Sequence, residues 1–61
     1  MHIGQKLRYE GGVEIVKIIQ PYNLDGSMAE PIVELSKDGE LWGYLTVTAV
    51  GEIERYESRD V

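Results

Sequence analysis

Sixty-one residues with eleven acids, six bases, one histidine and no cysteine bound what the chain can be. Without cysteine there is no disulfide and no thiolate chemistry, and a lone His2 beside an end excludes an ordinary zinc site, so no cofactor or metal is expected. A net charge of −5 leaves few cations to displace phosphate counterions, which argues against direct nucleic-acid binding and against an anionic membrane surface.

The length allows a single domain, 1–61. A chain this short buries only about 60% of the surface its unfolded form exposes, and small cores without staples gain stability by associating, so a homodimer is one expected arrangement. No apolar run approaches the ~20 residues that span a bilayer, and Met1–Lys6 lacks a signal peptide's apolar stretch; the expected location is cytoplasmic.

Residues 3–9 alternate, with Ile3, Gln5, Leu7 and Tyr9 on one face and Gly4, Lys6 and Arg8 on the other, the pattern of a half-buried strand. Glu10-Gly11-Gly12 reads as a turn, and residues 13–20 as a second strand apolar on both faces. A three-residue loop with Gly12 left-handed pairs Tyr9 with Val13, Leu7 with Ile15 and Ile3 with Ile19, and sets Arg8 opposite Glu14. Pro21 ends the strand, because proline cannot donate to the ladder. Tyr22–Ser27 is a loop built on Asn, Asp and Gly, and Pro31 opens a third strand.

Residues 33–48 form the best-defined unit, a hairpin about Lys37-Asp38-Gly39. A two-residue Asp38-Gly39 loop mixes polar and apolar residues on each face. A three-residue loop with Gly39 left-handed pairs Leu35 with Leu41 and Val33 with Gly43. It gathers Val33, Leu35, Leu41, Leu45 and Val47 on one face, with Glu34, Trp42, Tyr44, Thr46 and Thr48 on the other. The second register is the expected one. Val50-Gly51-Glu52 reads as a further turn, residues 53–57 as a last strand or a single helical turn, and residues 58–61 as a frayed tail. The predicted core is Ile3, Leu7, Ile15, Ile19, Val33, Leu35, Leu41, Leu45 and Val47. Five short strands make an all-β domain, a small five-stranded antiparallel barrel or strongly twisted sheet, SH3-like in size.

Catalysis finds little support. No carboxylate pair sits in an expected cleft that would raise one pKa, Ser27, Ser36 and Ser58 lack a histidine base, and residues 37–40 lack calcium-loop spacing. The expectation is a protein that is not an enzyme. Trp42 and Tyr44, of types enriched at binding hot spots, lie beside Glu34; they form either a second core layer or an aromatic strip for an Arg- or Lys-rich partner. Glu52, Glu54 and Glu57, with Asp60, make an acidic end. It is either a solvated edge that discourages aggregation or an imitation of a phosphate backbone.

The segment Tyr22…Gly26…Ile32-Val33-Glu34-Leu35…Asp38-Gly39-Glu40…Tyr44-Leu45-Thr46-Val47-Thr48 resembles the strand pattern of small accessory proteins carried by plasmids and phages, with Thr48 where those have asparagine. The resemblance covers under half of the chain and brings no activity with it. It implies origin in a mobile element, and small acidic phage proteins that block host nucleases or CRISPR effectors offer an analogy of class. The expected function is therefore binding to a basic surface of a host effector, with Trp42, Tyr44, Glu34, Glu52, Glu54 and Glu57 as contact residues. The alternatives are a self-associating module and an accessory domain that binds a small ligand.

Overall fold

In the computed structural model, which describes residues 1–59, alternating apolar residues build an antiparallel meander. Strands β1 (Lys6–Leu7), β2 (Val13–Ile19), β3 (Ile32–Lys37) and β4 (Glu40–Thr46) pair in chain order, and helix α1 (Val47–Arg59) closes the domain. The architecture is thus a four-stranded sheet with one helix, not a five-stranded barrel. The segment expected as a turn and a last strand or helical turn is one continuous helix, and Ser58 and Arg59, expected to fray, belong to its last turn. Asp60 and Val61, the rest of that tail, lie outside the described residues.

The helix begins where it does because Thr46 caps it: the Ala49 N–H donates to Thr46 Oγ1 at 3.1 Å, satisfying a donor that the first turn leaves free. Thirteen residues with β-branched and glycine positions are marginal as an isolated helix, so packing holds this one. Val50 is fully buried with Leu7, Val13, Ile15, Val33 and Leu35, and Val47, Ile53, Leu45 and Tyr9 pack around that cluster. No helix among the described residues is long and apolar enough to cross a membrane.

Both hairpin registers differ from expectation, and irregular backbone is the reason each time. Between β1 and β2, Glu10 (φ 51°), Gly11 (φ 81°) and Gly12 (φ 108°) are all left-handed, as expected for Gly12, but the connection is wider than a three-residue turn. Leu7 therefore pairs with Val13 and Lys6 with Glu14, leaving Arg8 free of Glu14 and Ile3 63% exposed outside the core. Between β3 and β4, Asp38 (φ 54°) and Gly39 (φ 83°) form the two-residue turn, in which both central residues are left-handed. Lys37 pairs with Glu40 and Ser36 with Leu41; a bulge then shifts the ladder so that Leu35 meets Gly43 and Val33 meets Leu45. The bulge restores the apolar face that a regular two-residue register lacks, and leaves Leu41 63% exposed.

A second bulge, at Val16, changes the facing of β2: Ile15 pairs with Leu35, Lys17 with Glu34, Ile18 with Val33 and Ile19 with Ile32. Ile19 is therefore not in the core, where Val13 and Val50 stand instead. Gly39 supports a direct test. Its φ of 83° suits glycine and strains a β-branched residue, so Gly39→Val is expected to destabilise by about 1–2 kcal/mol in urea unfolding while Asp38→Gly does not. Equal stability of Gly39→Val and the parent would contradict the turn.

The β2–β3 connection, expected as a loop on its Asn, Asp and Gly content, folds on itself as a small hairpin with its turn at those residues. The Asn23 N–H donates to the Ser27 carbonyl at 2.8 Å, the Ala29 N–H to the Pro21 carbonyl at 3.0 Å, and Tyr22 and Met28 form an antiparallel bridge. Asp25 Oδ1 accepts from the Ser27 hydroxyl at 2.6 Å and from the Ser27 N–H at 2.9 Å. These bonds, the hydroxyl first, hold the Asp25 carboxyl below the usual carboxylate range. A depressed pKa contributes order that is complete above the unfolded value and is lost as pH falls through the folded one. Acid titration followed by NMR should move the Ser27 amide resonance below the ordinary aspartate pKa, and Asp25→Asn should remove that step.

Candidate functional site

The second half of helix α1 is tied to the chain's first residues. The Arg8 N–H donates to Glu57 Oε1 at 2.7 Å, the Arg8 guanidinium to the Glu57 carbonyl at 2.8 Å, and Gln5 Nε2 to Glu54 Oε2 at 2.7 Å. These contacts decide what the acidic end can do. Glu54 and Glu57 are clasps between helix and N-terminal segment, so the row of Glu52, Glu54 and Glu57 does not stand as a free comb of carboxylates. Glu52 remains exposed.

Between the helix, Leu45 of β4 and the Arg8-Tyr9 segment, a groove of about 620 Å³ opens. Tyr9, Leu45, Ala49, Ile53 and Tyr56 form its apolar wall, and Arg8, Glu52 and Glu57 its polar edge. Trp42 borders this region through Tyr9: the two rings meet edge to face, centroids 5.6 Å apart with 79° between planes, the geometry aromatic quadrupoles favour. Trp42 keeps 37% of its surface exposed and Tyr56 68%. Trp42 is thus neither a core residue nor an isolated surface one.

Tyr44 and Glu34 stand elsewhere. Glu34 alternates with the buried Val33 and Leu35, so it points from the helix-free face. Across β2, β3 and β4 it makes a row with Lys17 and Tyr44. The Tyr44 hydroxyl donates to Glu34 Oε1 at 3.1 Å, and this bond, with the carboxylate's charge, raises the phenol's pKa. The expected aromatic strip is therefore divided: Trp42 leans toward the groove on Tyr9, while Tyr44 and Glu34 pair with each other on the opposite face.

Sequence reasoning missed Arg8, Tyr9, Ala49, Ile53 and Tyr56 as neighbours. The signal that could have found part of the set is the spacing of Val47, Val50 and Ile53, three apart each time, which marks one side of a helix. Nothing in the sequence signals that Tyr9 reaches Trp42. Among the described residues no group of three or more His, Cys, Asp or Glu comes together in a way that could hold a metal ion. Apolar walls, two exposed aromatic rings and a carboxylate edge suit a ligand that carries aliphatic or aromatic surface beside a cation.

The fold and groove together define a small two-layer domain, an antiparallel meander with one helix across it. Comparison with known protein families, with curated proteins and with solved structures finds no match.

Proposed function

We propose that the chain is a non-enzymatic protein-binding module whose contact surface is the groove beside Trp42, and that its partner presents basic groups. The observation that carries this reading is an apolar groove lined by Tyr9 and Tyr56 and edged by Glu52, with Trp42 packed on Tyr9 beside it, in a chain of net charge −5. Aromatic anchors hold a complex once formed; surplus negative charge speeds encounter with a cationic surface. A nucleic-acid-binding surface of a host effector has this character, in keeping with the mobile-element resemblance, and inhibition would follow from occluding it. Because Glu54 and Glu57 are engaged within the fold, the aromatic groove carries more of the binding in this reading than the acidic end.

The single tryptophan makes the test simple, since Trp42 fluorescence reports on the groove. An amphipathic Arg/Leu peptide is expected to shift Trp42 emission, with affinity that falls as salt rises. Its Glu/Leu counterpart should not, and Tyr56→Ala should weaken binding by about tenfold. Equal response to both peptides, or none to either, would reject the basic-partner reading. A self-associating module is the second reading, favoured by β4, an edge strand that exposes Leu41, Trp42 and Tyr44; sedimentation of the free chain separates the two.

A further inference from the structure

The connection between β2 and β3 leaves the sheet at the end away from the Asp38-Gly39 turn, and it carries Tyr22, Leu24 and Met28. Leu24 is fully exposed, and Tyr22 and Met28 are largely so. Single apolar side chains on a surface need no explanation. These three stand together on one projecting hairpin, where the Tyr22–Met28 bridge sets two of them side by side and Leu24 lies toward the tip.

The hairpin is held from within. Besides the backbone bonds of Asn23 to Ser27 and of Ala29 to Pro21, the Gly26 N–H donates to the Asn23 carbonyl at 3.0 Å and Asn23 Nδ2 to Ser27 Oγ at 2.9 Å. At its base Gln20 Nε2 donates to the Pro21 and Ala29 carbonyls at 2.9 and 2.8 Å. The conformational entropy that a loose loop loses on binding has here been lost in folding, which favours affinity. The charge is one-sided as well: Asp25 and Glu30 flank the apolar residues, and no Lys or Arg lies between Lys17 and Lys37. A convex apolar tip with an acidic flank complements a concave apolar pocket with a cationic rim, and it is repelled by an anionic lipid surface. The groove of a second copy is a poorer match, because its edge holds Glu52, Glu57 and an Arg8 already engaged on Glu57.

We propose that residues 20–30 form a preformed anchor that seats Leu24, with Tyr22 and Met28 beside it, in an apolar pocket rimmed by Lys or Arg on another protein. This surface is separate from the Trp42 groove and stands whether or not that groove binds a basic partner.

The test places a photo-reactive diazirine analogue of leucine at position 24 of the full chain, irradiates it in lysate of the cells that make it, and maps the crosslinked residues by mass spectrometry. The expected adduct lies on another protein, at residues lining an apolar depression flanked by Lys or Arg. Excess unlabelled parent should lower its yield about tenfold or more, whereas the Leu24→Asp chain should not. Trp42→Ala should compete like the parent. An Asn23→Ala, Ser27→Ala double variant keeps all three apolar side chains but loses the side-chain bonds of Asn23 and Ser27 that brace the turn, and should compete several-fold less well. Leu24→Asp should melt with the parent, because Leu24 touches no core residue. Five results would overturn the proposal: no adduct; adducts only with a second copy; insertion into phosphatidylcholine vesicles; competition by Leu24→Asp as strong as the parent's; or competition lost in Trp42→Ala alone. If the double variant competes as well as the parent, the anchor is not preformed.

Discussion

Leu35→Ala is expected to remove most of the domain's stability. Leu35 is fully buried in β3, paired with Ile15 on one side and Gly43 on the other, in the cluster that includes Val50. Truncating such a leucine costs about 2–5 kcal/mol through lost transfer energy and the cavity left behind. At the usual stability per residue a chain of this length has only about 3–9 kcal/mol in total. The loss is therefore comparable with the whole. Urea unfolding should show the midpoint collapsing or no folded baseline at all. Ile3→Ala and Leu41→Ala, at exposed positions, should each stay within about 0.5 kcal/mol of the parent. If either matched Leu35→Ala, the core would have been placed wrongly.

The second large effect separates helix from strand over residues 47–59. Val50→Asp puts a carboxylate at a fully buried position with no cation among the residues packed around it; such a change costs several kcal/mol and is expected to abolish cooperative unfolding. Thr48→Asp introduces the same residue two positions earlier, on the exposed side and in the helix's first turn. There it faces the positive end of the helix dipole and should be neutral or stabilising by some tenths of a kcal/mol. In a strand positions 48 and 50 share a face, and the two substitutions would be similarly harmful. Thermal melts by circular dichroism distinguish the outcomes directly.

The sequence made the turns readable and the pairings not. Asp38-Gly39, Gly11-Gly12 and the Asn23–Ser27 turn all lie where their residue types place them, because left-handed backbone and side-chain-to-backbone bonds are local properties. Register is not local. Testing it by strict alternation assumed regular strands and three-residue turns; the wider connection before Val13 and the bulge at Trp42, between the Leu35 and Ser36 pairings, break that condition, and the bulge at Val16 shifts the rest of β2 against β3. The helix was hidden by Thr46-Val47-Thr48, a β-branched run that continues the look of β4; the capping role of Thr46 decides against it. Of the expected contact residues, Trp42 and Glu52 belong to one region, since one borders and one edges the groove. Tyr44 and Glu34 face away, and Glu54 and Glu57 serve the fold. Those assignments depend on contacts between residues far apart in the chain, such as Tyr9 with Trp42, which composition and spacing do not encode.

The clasp between helix and N-terminal segment bears on how the molecule comes together. Every pairing in the meander joins strands adjacent in the chain, so the sheet can zip up by successive short-range closures. Among the described residues, the bonds of Gln5 with Glu54 and of Arg8 with Glu57 span 49 positions, the Met1 ammonium lies 3.5 Å from Glu54 Oε2, and the side chains that make these contacts are exposed or half-exposed. Such late, thinly covered contacts are the first to part when a protein breathes. The amides of residues 4–8 and of the helix's second half should therefore exchange with deuterium well ahead of those in β2 and β3. Because that half of the helix supplies one wall of the groove, parting of these contacts would open it. A guest in it would read as slower exchange at Arg8, a residue it need not cover.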